Sequence, residues 1–294
     1  MPELSRTLLS SGRGLLEGPA WHPRLGLVVG DAEKGGVWAL SRRGLDVPVI
    51  AHRRGIGGIV VHEDGGLIVS GRNVAYKSLD DPEAQTCVLL NNDPARHIVG
   101  FNDMTTDAAG RVYVGSLAFV AMHALPEEES AEGSLHRIDL DGSSQVVATG
   151  IRLTNGLAFS ADGRHLYYAD SLRRVVNVYD AHPDGTLGPA RPLIRCEEGL
   201  PDGLAVSVDG DIWLAQADAH LVVRYRSDGT ERERLCFDEP MVTSLCFGGD
   251  DLRDLYVVTG ARGSVRGGCV YRLRVDVPGL PCHPARVPLQ QEKR

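Results

Sequence analysis

The 294-residue chain has no apolar run close to the ~20 residues that a membrane-spanning helix needs. Nor does it carry a surplus of positive charge: 31 Lys and Arg stand against 39 Asp and Glu, a formal net charge of −8. That balance argues against a nucleic-acid partner, whose phosphates would demand a basic surface. The six cysteines (Cys87, Cys196, Cys236, Cys246, Cys269 and Cys282) include no CxxC pair. They read as reduced, mostly buried residues of a cytoplasmic protein rather than as a disulfide framework. The opening MPELSRTLLSSGRG lacks the apolar segment of a secretory signal, which fits the same compartment. HExxH, GxSxG, Walker A and dinucleotide-fingerprint motifs are all missing, so the usual zinc, serine-nucleophile and nucleotide sites are not expected.

Glycine, by contrast, is abundant at 35 residues, as a fold with many tight turns requires. The glycines punctuate a repeat. Six related phrases begin at Glu17 (EGPAWHPRLGLVVGD), Gly57 (GGIVVHEDGGLIVSG), Asn102 (NDMTTDAAGRVYVGS), Asn155 (NGLAFSADGRHLYYAD), Asp202 (DGLAVSVDGDIWLAQ) and Thr243 (TSLCFGGDDLRDLYVVT). Their starts are 40, 45, 53, 47 and 41 residues apart. Each phrase gives an apolar strand, a turn with Gly or Asp, and a second strand rich in Val, Leu and Tyr. A third strand often follows, as in GGVWALSRRG and GCVYRLRVDVPG.

A multi-strand period of 40–50 without helical periodicity is the signature of a β-propeller. The expected architecture is all-β: one six-bladed propeller domain spanning 1–294, with four strands per blade. RTLLS near the start and ARVPL near the end are expected to share one blade, which would close the ring and remove its free edges. The longest gap between phrases falls in SLAFVAMHALPEEESAEGS, residues 116–134. Such an insertion maps to a loop on one face, often the binding face. Its EEE run reads as solvated surface, while Phe119, Val120 and Met122 offer apolar contact for a substrate.

The innermost strand of each blade lines the central channel, so equivalent repeat positions form a ring about the axis. Glu17, Gly57, Asn102, Asn155, Asp202 and Thr243 are the six positions. Two carboxylates converging on an axis repel each other, and burial raises the cost of their charge. A divalent cation would resolve both problems. Glu17, Asn102, Asn155 and Asp202 make an all-oxygen set that suits Ca²⁺ first, with Mg²⁺, Mn²⁺, Zn²⁺ or Fe²⁺ as alternatives.

At these residues the chain resembles the SMP-30/gluconolactonase/LRE family of six-bladed propellers, related to diisopropyl-fluorophosphatase. The resemblance runs from about Leu15 to Pro281, through EGPAW, FND followed by AGR, NGLAFSADGRHLYYADS, PDGLAV and CFGGDDLRDLYVVTGARG. It implies a divalent metal in the channel, held by Glu17, Asn155 and Asp202, with Asn102 as a further ligand or a substrate contact. Two departures stand out. Gly100 occupies the place of an arginine in sugar-lactone members, and GSLAFV, with Phe119 and Val120, replaces a stretch carrying glutamate.

The expected function is metal-dependent hydrolysis of a relatively nonpolar lactone or activated ester by metal-activated water. Asp202 would be the base or the carboxylate orienting that water, Asn102 would hold substrate or developing oxyanion, and Gly100, Phe119, Val120 and Met122 would shape the pocket. The alternatives are a sugar-acid lactonase, a phosphotriesterase-type hydrolase, and a non-enzymatic propeller whose structural calcium supports a protein-binding face. A small-molecule substrate, no nucleic acid, no membrane, and a monomer or weak homodimer complete the expectation.

Overall fold

The computed structural model describes residues 5–81, 84–120 and 131–289. It contains six four-stranded antiparallel sheets. Blades one to five run in sequence over 16–50, 59–90, 100–151, 154–195 and 200–236, each with its strands in simple up-and-down order. Blade six takes three strands from 242–274, and its outermost strand is Arg6–Arg13 from the other end of the chain, paired with Gly268–Arg274.

The alternation within each middle strand builds the ring. In Gly26–Asp31, Leu27 and Val29 pack toward blade six while Val28 packs toward blade two. In Ile212–Ala217, Ile212 and Leu214 face blade four, and Trp213 and Ala215 face blade six. Successive side chains of a strand point to opposite faces, so a strand buried on both faces serves two cores. Six apolar clusters result, each shared between two neighbouring blades, so the core is a ring of seams.

The expectation for the chain ends is half corrected. RTLLS lies in the outer strand of blade six, but ARVPL does not join it. After Arg274 the chain crosses the face formed by the hairpins between the first and second strands of each blade. The amides of Val208 and Leu280 bond Pro278 and Val206 on blade five (2.9 Å each), and Gly279 bonds Leu252 on blade six (2.8 Å). Farther on, Ala285 bonds Val61 on blade two (2.8 Å) and Arg286 bonds Gly110 on blade three (2.9 Å). Blades five and two are opposite in a ring of six, so residues 276–289 form a strap across the base of the channel. ARVPL has apolar residues that suit any seam, and Ala285 and Val287 fill the one between blades two and three.

All six cysteines are free, but only Cys196, Cys246 and Cys269 are buried; Cys87 is half-buried, and Cys236 and Cys282 are exposed. Among the described residues no helix is long and apolar enough to cross a membrane.

Candidate metal centre

The first strand of a blade would, if regular, turn every second side chain away from the channel. Five of the six instead carry a break in pairing register at the ring position: between Glu17 and Ala20, Phe101 and Met104, Thr154 and Leu157, Pro201 and Leu204, and Val242 and Ser244. A bulge inserts an extra residue, bends the strand and re-aims its side chains. Here it presents ring side chains where the strands begin, at the end of the channel away from the strap.

The bend also brings neighbouring strands into backbone contact, which explains why a glycine follows the ring residue. A Cβ on Gly203, the residue after Asp202, would stand 2.0 Å from Ser244 Oγ. Gly57, the ring residue of blade two, leaves room of a different kind: Asn102 Oδ1 lies 1.9 Å from where its Cβ would be. The missing side chain of blade two is thus replaced by the amide of blade three. Ser70 holds the backbone there, its Oγ accepting from the amides of Gly57 (3.1 Å) and Gly58 (2.8 Å).

The two ring amides are each anchored through nitrogen. Asn102 Nδ2 donates to the Thr154 carbonyl at 2.7 Å, and Asn155 Nδ2 donates to Ser171 Oγ at 3.1 Å. Ser171 in turn donates to the Pro201 carbonyl at 2.6 Å, immediately before Asp202. Anchoring by nitrogen leaves amide oxygens as the uncommitted groups. Thr243 belongs to the ring by sequence but not by contact: it is fully buried, and its Oγ1 donates to the Leu16 carbonyl at 2.6 Å. It staples blade six to blade one.

The carboxylates are strained electrostatically. Burial pushes Glu17 well above the ordinary carboxylate range, and the charges of Asp202 and Asp103 push it further. Asp202 is raised in the same way by burial and then by Asp103, with the Gly203 N–H and the Asn155 side chain partly opposing. Asp103 itself is lifted to about 7 by burial, against one hydrogen bond from the Met104 amide. Glu17, Asn102, Asp103 and Asn155 are half-buried.

Asp103 is the residue that sequence reasoning missed. In a regular strand it would point away from Asn102; at the bulge both serve the channel. The signal was present in the slot after the ring position, where Gly18, Gly58, Gly156, Gly203 and Ser244 are all small and only Asp103 is not.

The donor set suits a divalent cation. Asp202 is 6% exposed and its Oδ1 has no hydrogen-bond partner, an expensive condition for a carboxylate oxygen. No group of three or more His, Cys, Asp or Glu able to hold a metal ion occurs among the described residues. The amide oxygens of Asn102 and Asn155 are therefore needed beside Glu17 and Asp202, and such an all-oxygen mixture favours a hard cation.

The residues expected to shape a substrate pocket are placed with less definition. Gly100 is buried at the start of Gly100–Thr106, where a Cβ would meet the Gly71 carbonyl oxygen at 3.0 Å. Phe119 is half-buried and Val120 is 51% exposed, at the edge of the insertion. Met122 lies outside the described residues.

Comparison with known proteins matches residues 15–261 to the SMP-30/Gluconolactonase/LRE-like region. A pentonolactonase of Haloferax volcanii is 32% identical over 90% of this chain and 92% of its own length. A 6-deoxy-6-sulfogluconolactonase of Pseudomonas putida is 31% identical, covering 95% of this chain and 97% of its own. Among solved structures, a luciferin-regenerating enzyme superposes with a TM-score of 0.83 at 22% identity, over 97% of this chain and all (100%) of the other. A calcium-binding protein, regucalcin, from Agrobacterium tumefaciens gives 0.78 at 18% identity, over 97% and 98% of the two chains.

Proposed function

Because the chain belongs to the SMP-30/gluconolactonase/LRE-like family, we propose that it is a metal-dependent hydrolase that opens a lactone ring. The observation that carries this reading is the unpartnered Oδ1 of buried Asp202 in a ring of oxygen donors. A divalent cation, Ca²⁺ by donor type, held by Glu17, Asn155 and Asp202 with Asn102 beside them, would polarise the lactone carbonyl and acidify water.

The protein's own groups supply the rest. Asp202 orients the attacking water and accepts its proton; its Oδ1 is buried and without a hydrogen-bond partner among the described residues. Glu17 contributes the second negative charge. The Asn155–Ser171–Pro201 chain of hydrogen bonds fixes Asn155 relative to Asp202. Asn102, fixed by Thr154, would lend its Oδ1 to the cation and keep one N–H for substrate. The strap across the base leaves the opposite end of the channel as the mouth for substrate.

Gly100, Phe119 and Val120 offer no polar side chain, so each ring hydroxyl buried against them would lack a partner at a cost of ~1–3 kcal/mol. A lactone poor in hydroxyls on that side is the favoured substrate. The test is a reconstitution screen of metal-stripped protein with Ca²⁺, Mg²⁺, Mn²⁺, Zn²⁺ and Fe²⁺ against sugar lactones, alkyl lactones, aryl esters and a phosphotriester. Metal-dependent turnover of lactones is the expected result. Turnover of the phosphotriester alone, or of nothing, would overturn the reading.

A further inference from the structure

Most charged side chains on the mouth face are neutralised by a neighbour. On blades four to six, Arg173 pairs with Asp170 (2.8 Å) and Glu132 (2.5 Å), Arg262 with Asp218 (2.7 Å) and Arg266 with Asp238 (2.6 Å). Arg174 donates to the carbonyls of Cys196 (3.2 Å) and Glu197 (2.7 Å). Blade two differs. Its three mouth-side loops span 51–58, 70–73 and 91–99, and each carries one exposed arginine: Arg54, Arg72 and Arg96. None of these guanidinium groups has a hydrogen-bond or ion-pair partner among the described residues. In a chain of net charge −8, unneutralised cations collected on one sector are not accounted for by overall composition.

Two of them stand near Gly100, on loops whose backbones are tied together. Arg53 is half-buried and reaches from the first loop into the second, donating to the carbonyls of Val69 (3.1 Å), Ser70 (3.0 Å) and Asn73 (2.6 Å) and to Asn73 Oδ1 (2.9 Å). Gly71 and Phe101 exchange backbone hydrogen bonds of 2.7 and 3.2 Å, which ties this second loop to the strand carrying Asn102. Arg72 Cα consequently lies 3.8 Å from the Cβ position of Gly100, and the Arg54 carbonyl oxygen lies 3.1 Å from that of Gly71. Gly100 precedes Asn102 by two residues on one strand, about 6–7 Å at the usual rise. An arginine side chain spans a similar length, so the space just outside the ring is within reach of the guanidinium at 72.

We propose that Arg54 and Arg72 bind an anionic substituent on the substrate, so that the preferred lactone carries a carboxylate, sulfonate or phosphate beside its ring. This rests on the lactonase reading and names the substrate class for it. The ring would meet the apolar side of Phe119 and the bare backbone at Gly100, while the anion points to blade two. Arginine suits the task because its planar fork matches oxyanion geometry and remains charged at every relevant pH.

The experiment compares 5-oxotetrahydrofuran-2-carboxylate with its carboxamide, a neutral lactone of nearly the same shape, on the Ca²⁺-loaded protein. Hydrogen bonds to charged groups contribute roughly 1.5–3 kcal/mol, so kcat/KM should favour the acid by about tenfold to a hundredfold. In the double variant R54A/R72A that ratio should collapse toward one. R42A/R43A removes equal charge from a hairpin on the strap side and should leave the ratio intact. Equal rates for acid and amide in the wild type, or an unchanged ratio in R54A/R72A, would overturn the proposal while leaving the lactonase reading in place. If neither lactone is turned over, the lactonase reading fails for these substrates. Calorimetry with tetrahydrofuran-2-carboxylate then decides the anion site by itself: binding lost in R54A/R72A upholds it, and no binding to the wild type sinks it.

Discussion

The ring at the channel and the arginine rim of blade two both hold charges that the protein leaves unpaired, yet the two sectors obey different rules. Glu17, Asp103 and Asp202 repel one another where burial already penalises their charge. Arg54 and Arg72 are exposed, and water solvates them at little cost. Folding therefore pulls the ring toward protonation or a cation, whereas the rim is stable empty and acquires meaning only from what arrives. Elsewhere the molecule shows how it treats a charge that needs no ligand. At the base of blade five, Asp211 is buried but meets Arg224 and Arg232, each at 2.6 Å. Unpaired charge is thus costly in the buried ring and cheap on the exposed rim.

The largest effect should come from removing the ring's orphaned oxygen. Asp202→Asn keeps the shape but loses base and charge, and general-base losses run to about a hundredfold to ten-thousandfold. Near-wild-type kcat/KM, with the fold intact by circular dichroism, would take Asp202 out of the chemistry. Gly57→Ala should follow at roughly tenfold to a hundredfold in kcat/KM, because misplacing a positioned group by about an ångström is costly. A Cβ there occupies the place of Asn102 Oδ1, so a melting temperature and activity both equal to wild type would show that Asn102 is free to move away. Glu17→Gln halves the negative charge offered by the two acidic ligands and should weaken Ca²⁺ binding about tenfold or more. Unchanged affinity in a calorimetric titration would separate the ring from the metal site.

A smaller effect concerns pH. All three carboxyl groups are raised in the folded, metal-free protein, Asp103 to about 7, so their contribution to stability is fully present below the unfolded value near 4. It is lost as pH rises through the folded values. The melting temperature of metal-stripped protein should thus fall between pH 4 and 8 relative to Ca²⁺-loaded protein, and Asp103→Asn should flatten the difference. A Ca²⁺ increment no larger at pH 8 than at pH 5 would contradict the electrostatic account. The smallest effect belongs to the rim. Raising salt from ~0.05 to ~0.5 M shortens the screening length and should erode the acid-over-amide preference severalfold. Ca²⁺ affinity, after correction for ion competition, should respond less.

Much of this was legible because propellers repeat. Six phrases with equivalent opening residues gave the blade count, and Glu17, Asn102, Asn155 and Asp202 each fall near the start of the first strand of their blade. Asp103 was hidden because alternation assigns neighbours to opposite faces, and a bulge cancels that rule. Thr243 was over-read for the same reason: sharing a slot does not guarantee sharing a direction. ARVPL was misplaced because a lone alternating segment carries no address, and its partners Val61 and Gly110 lie far off in sequence. Arg54 and Arg72 belong to no repeat slot, and only the Arg53 clamp and the Gly71–Phe101 pairing show their loops to lie beside Gly100.

The shared blade six also sets a timetable for biosynthesis. Its outer strand, Arg6–Arg13, is made long before its partner Gly268–Arg274, with five whole blades in between. Blades one to five each contain contiguous sequence and can form as they leave the ribosome, whereas Arg6–Arg13 must wait until all five have been made. At translation speeds of about 5–20 residues per second, that strand waits for roughly 15–60 s with its hydrogen-bonding edge unpaired. Nascent chains stalled before 268 should be clipped by protease near residues 6–13, and chains released after 274 should resist. Equal protection in both would mean that the first strand finds a temporary partner on the way.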